Sequence, residues 1–85
     1  MKVAINSYYG GFDLSKEALA RYEELGGVGF QRNDPILIQV IEELGEDANG
    51  DFAELKIVEI PDDVEWFIEE YDGMEWVAEK HRTWR

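Results

Sequence analysis

No cysteine occurs in this chain, so neither a disulfide framework nor a thiolate metal cluster can staple its fold. Burial of aliphatic and aromatic side chains must hold it instead, and a reducing, cytoplasmic setting suits it best. Histidine is nearly missing too, with His81 alone in the chain, which leaves little material for an imidazole metal site or acid–base pair. The two prolines, Pro35 and Pro61, both fall where an element should start or stop. Nowhere do about 18 consecutive apolar residues occur, and Met1 to Ile5 holds one lysine and no apolar run of signal-peptide length. Membrane spanning and secretion are both disfavoured. Basic residues are scarce as well: eight lysines and arginines face twenty aspartates and glutamates, a formal charge of −12. That charge repels nucleic acid and anionic lipid at a distance, which speaks against direct DNA or RNA binding.

What is present fits one domain, because 85 residues can enclose one hydrophobic core but not two. Fifteen of the twenty carboxylates lie between Glu42 and Glu79, whereas Lys80-His81-Arg82-Thr83-Trp84-Arg85 contains none. The C-terminus is a basic and aromatic island on an acidic protein.

Val3 and Ile5 alternate with small or polar residues before Gly10-Gly11, which predicts a short first strand running into a loop. Ser15 is placed to cap a helix over Lys16 to Leu25, with Leu14 and Leu19 at the two positions of a hydrophobic staple. Ala18, Leu19, Tyr22 and Leu25 would share its apolar stripe, and Gly26-Gly27 would stop it. Asp34-Pro35 opens a second helix whose Ile36, Leu37, Val40, Ile41 and Leu44 recur at spacings of three and four. Phe52 to Ile60 is rich in strand formers and is broken by Pro61. Asp72-Gly73 suits a two-residue type I′ turn between Val64–Tyr71 and Met74–His81, setting Tyr71 opposite Met74, Glu70 opposite Glu75, Ile68 opposite Val77 and Trp66 opposite Glu79. The expected fold is therefore α+β in the order β-α-α-β-β-β: a small, mostly antiparallel four-stranded sheet with two amphipathic helices on one face.

Taken together, Val3-Ala4-Ile5-Asn6, Tyr9-Gly10-Gly11-Phe12, Leu14-Ser15, Asp34-Pro35, Glu42-Glu43-Leu44-Gly45, Leu55 to Asp63, Glu70-Tyr71-Asp72-Gly73 and Val77 to Trp84 resemble a family of short conserved proteins encoded by bacteriophages. The resemblance covers nearly the whole chain, although Val28 to Arg32 is shorter here than in the family's pattern. It implies a small accessory protein acting in the cytoplasm of an infected bacterium. Such proteins often bind and disarm a host defence enzyme or its nucleotide signal, so the implication is by analogy and not from a site.

Four constellations could carry chemistry. Tyr8, Tyr9, Gly10 and Gly11 lead into the Ser15-capped helix, where free backbone N–H groups could hold a phosphate and aromatic faces could stack a base; the same residues would equally serve a simple turn with packed aromatics. His81, Arg82 and Trp84 could pair with phosphate and stack on a base, or form an ordinary terminus. Glu70, Glu75, Glu79 and His81 share one face of the expected hairpin, a thin case for a metal site or a small hydrolase using Glu79 and His81, and an easy one for solvated strand charges. Finally, the acidic surface could imitate nucleic-acid charge and occupy a host protein, or merely aid solubility. These observations favour a non-enzymatic counter-defence protein that sequesters a small anionic or nucleotide-type signal through Tyr8, Tyr9, Gly10, Gly11, Ser15, His81, Arg82 and Trp84, with no cofactor or metal. The alternative is an acidic inhibitor that docks on a host defence or DNA-binding protein through Glu70, Glu75 and Glu79.

Overall fold

The computed structural model describes residues 1–79 and the backbone of Thr83 and Trp84. The chain runs β1 (Lys2–Asn6), α1 (Lys16–Glu24), α2 (Pro35–Leu44), a 3₁₀ turn (Gly45–Ala48), β2 (Leu55–Glu59), β3 (Trp66–Tyr71), β4 (Met74–Glu79) and a two-residue β5 (Thr83–Trp84). The α+β class, the element order and the antiparallel pairing follow the expectation.

Local chemistry accounts for both helices. The Ser15 hydroxyl accepts the Ala18 N–H at 3.1 Å and donates to the Asp47 carbonyl at 2.6 Å, so one side chain caps α1 and ties it to the 3₁₀ turn. At α2, one Asp34 carboxylate oxygen accepts the Ile36 N–H at 2.8 Å while the other accepts the Tyr22 hydroxyl at 2.6 Å. A single N-cap thus joins the two helices. Leu37, Ile38, Val40 and Ile41 are buried against Ala18, Tyr22, Leu14 and Ala48. Leu19 departs from the expected stripe and is 42% exposed, because the buried line of α1 runs through Ala18 and Tyr22 to Leu25, and Leu19 lies one helical step off it. Phe52 is likewise outside β2, which begins at Leu55.

The strands correct the expectation of one four-stranded sheet: β1 pairs with β2, and β3, β4 and β5 form a second sheet. The reason lies at the free edge of β1. There the Ala4 N–H donates to the Arg32 carbonyl at 2.7 Å and the Asn6 N–H donates to the Glu75 carboxylate at 2.9 Å. Those two donors are thereby withheld from β4, and the hairpin meets the β1–β2 sheet through side chains instead. Three layers result. Ala4, Leu55 and Ile57 turn one face of β1–β2 to the helices, while Val3, Ile5 and Val58 turn the other to Val77, Trp66 and Ile68 of the second sheet.

The hairpin follows the expected register, with Tyr71 opposite Met74, Glu70 opposite Glu75, Ile68 opposite Val77 and Trp66 opposite Glu79. Asp72 and Gly73 have φ of 51° and 88°, the left-handed conformations that a type I′ turn requires.

Candidate functional site

Asn6 is fully buried at the end of β1, and its side-chain hydrogen bonds tie the following loop to two distant segments. Its amide donates to the Tyr8 and Gly73 carbonyls, and its carbonyl oxygen accepts the Glu54 N–H at 2.9 Å. The loop after β1 is thereby docked on the hairpin turn. That docking is close: a Cβ at Gly73 would collide with the Gly11 nitrogen, and one at Gly10 would stand 2.5 Å from the Phe52 carbonyl oxygen. Gly10 also donates its N–H to the Asp72 carbonyl at 3.1 Å.

These contacts assign Gly10 and Gly11 a packing duty, and the Gly10 donor expected to meet an anion is engaged inside the protein. Ser15 is committed as a cap. Tyr8 and Tyr9 point outward, ring edge to ring face at 6.1 Å, and remain about half exposed. His81 and Arg82 lie outside the described residues, as does the Trp84 side chain; the Trp84 backbone pairs with Val77. The described residues therefore bring Tyr8, Tyr9, Gly10 and Gly11 together and leave Ser15 in a separate structural role.

The hairpin carboxylates are divided in a similar way. Glu70 accepts the Gly73 N–H at 2.8 Å and stabilises its own turn. Glu79 stands opposite Trp66, half-buried and engaged. Glu75 departs from the expectation of a solvated strand charge: its side chain is only 9% exposed, and Arg32 grips both oxygens, the Nη2 contact measuring 2.9 Å. The guanidinium also lies 3.8 Å over the Phe12 ring. Burying a carboxylate without such a fork would be costly, so the cation is what allows Glu75 to sit between the sheets. Arg32 and Asn6 are the residues that sequence reasoning missed. Asn6 carried a faint signal, as the one amide closing an apolar strand, whereas no periodicity or motif singled out Arg32.

Between the two sheets lies a crevice of about 320 Å³ that no local motif announces. Ile5, Met74, Tyr71 and Trp76 give it an apolar, aromatic lining, and Ser7, Lys56 and Glu75 contribute the polar groups. The indole N–H of Trp76 donates to Glu69 at 2.9 Å, which fixes the ring's orientation. Since Arg32 balances Glu75, Lys56 is the one charge among the lining residues that forms no ion pair among the described residues. An open, concave surface with stacking rings, one cation and a hydroxyl is suited to a small planar anion.

Comparison with protein-family models, with curated proteins and with solved structures returns no match. Among the described residues no group of three or more histidines, cysteines and carboxylates is arranged to hold a metal ion, and no helix is long and apolar enough to cross a membrane.

Proposed function

We propose that the chain is a non-enzymatic binding protein that captures a small anionic, nucleotide-type molecule in the crevice between its sheets. The observation that carries this reading is Lys56, without an ion pair among the described residues of a strongly acidic protein and lining the same crevice as Tyr71 and Trp76. A base would stack on the aromatic lining while the lysine and the Ser7 hydroxyl meet the phosphate. The volume falls at the small end of ordinary ligand pockets, which suits a mononucleotide better than a larger cofactor. The resemblance to phage-encoded proteins supports a counter-defence setting, in which holding a host signal is sufficient and no turnover is needed. The basic tail with His81, Arg82 and Trp84 remains part of the proposal as a second source of phosphate contacts.

Titration with AMP and with a cyclic dinucleotide, followed by tryptophan fluorescence, tests the reading, because Trp76 lines the crevice. Saturable quenching is expected, with Lys56→Ala weakening it about 10- to 100-fold, the worth of one charge-assisted hydrogen bond. Mass spectrometry of the recovered nucleotide should find it unchanged. Absence of saturable binding by both probes, or indifference to Lys56→Ala, rejects the reading, and a hydrolysed nucleotide replaces it with the hydrolase.

A further inference from the structure

A second surface of the molecule is built from Tyr8, Tyr9 and Phe52. Their exposures are 49%, 53% and 73%, high for aromatic side chains on a protein this small. They belong together in space, since Gly10, next to Tyr9, lies directly against the Phe52 backbone and Cβ. Fully buried Asn6 and the interlocked Gly10 and Gly73 hold the loop that carries the tyrosines. A loop anchored this firmly could have turned its rings inward, yet it presents them to water. Exposed aromatic side chains carried on a backbone that is already fixed are the usual anchors of protein interfaces.

The surrounding charge identifies the partner. Asp51 and Glu54 flank Phe52, and Asp72 lies in the turn on which the loop rests; all three are exposed, and none pairs with a cation among the described residues. A polyanion would be repelled, whereas arginine or lysine side chains would find carboxylates to pair with and aromatic faces to stack on. We propose that Tyr8, Tyr9 and Phe52, with Asp51, Glu54 and Asp72 around them, form a docking surface for a basic segment of a partner protein. None of these residues lines the crevice, although Tyr8 and Asp72 adjoin its Ser7 and Tyr71, and the proposal does not rest on the ligand reading.

The test is a titration of the isotope-labelled protein with a short peptide of alternating arginine and leucine, read residue by residue by NMR. Perturbations are expected to concentrate at residues 8–10, 51–54 and 72–73. Tyr9→Ala combined with Phe52→Ala should weaken binding at least about tenfold, as expected for interface anchors, while Glu23→Gln in α1 combined with Glu65→Gln, at the end of the hairpin away from the turn, changes it little. Both double variants alter exposed side chains, and their spectra report whether they fold. Equal perturbation of the helical carboxylates, undiminished binding by the aromatic variant, or no saturable binding overturns the proposal. Because neither Tyr9 nor Phe52 lines the crevice, nucleotide binding by the aromatic variant separates failure of this surface from failure of the ligand site.

Discussion

The helical side and the two-sheet side of this protein hold together by different means. Between α1, α2 and the inner sheet, the buried cluster is made almost wholly of aliphatic side chains and Tyr22, and its polar links sit at the helix caps. Between the two sheets the buried apolar set is smaller, comprising Val3, Ile5, Val58, Ile60 and Val77. That side is fastened by polar devices: the Arg32–Glu75 ion pair, the Asn6 amide and the close contact of two turns. Apolar packing needs only volume and a matching face, whereas a buried polar fastening needs every partner in place. The candidate sites both lie on the polar-fastened side, where a crevice persists and a loop is held outward.

The largest expected effect breaks the apolar half. Ile41→Ala removes a 5%-exposed side chain from the helical cluster and should cost about 2–5 kcal/mol, enough to threaten folding of a domain this small. Chemical denaturation measures it, and a loss under about 0.5 kcal/mol would mean that the helical core does not depend on this face.

On the other side, Glu75→Ala strands the Arg32 guanidinium between the sheets and removes the acceptor of the Asn6 N–H, at an expected cost of roughly 3 kcal/mol. Replacing both partners, Arg32→Met with Glu75→Leu, should cost less than the single change, because no unpaired charge is left behind. If instead the double variant is the less stable, the ion pair contributes net stability and the contrast between the two halves narrows.

A smaller effect concerns the single tyrosine in the helical cluster. The hydrogen bond to Asp34, aided by burial and by that carboxylate's charge, holds the Tyr22 hydroxyl above the ordinary tyrosine pKa of 10.0. A raised folded value means that Tyr22 contributes its full stabilisation below about pH 10 and loses it as pH climbs through the folded value. The stability difference between the natural protein and Tyr22→Phe should therefore hold steady from pH 7 to 9 and shrink above pH 10. A constant difference across that range would show that the hydroxyl does not ionise with consequence for folding.

Much of this architecture was legible because its causes are local. Asp34-Pro35 and Ser15 state where helices begin through their own side-chain oxygens, and Asp72-Gly73 sets the hairpin register because few other dipeptides take up two positive φ angles in succession. Leu19 shows where such reasoning frays: helical spacing identifies a stripe, but the neighbouring elements decide which edge of it is covered.

The sequence by itself determined the class, the order of elements, both helix starts and the pairing across the hairpin, since each follows from residues within a few positions of one another. Tertiary structure alone decided that the strands divide into two sheets, that Glu75 faces inward and that Lys56 stands beside Tyr71 and Trp76. Arg32 and Glu75 are 43 residues apart, and Asn6 and Gly73 are 67 apart. Periodicity and turn chemistry carry no signal over such separations. Whether two such groups meet depends on how preformed layers stack, and that is settled by the shape and polarity of whole faces.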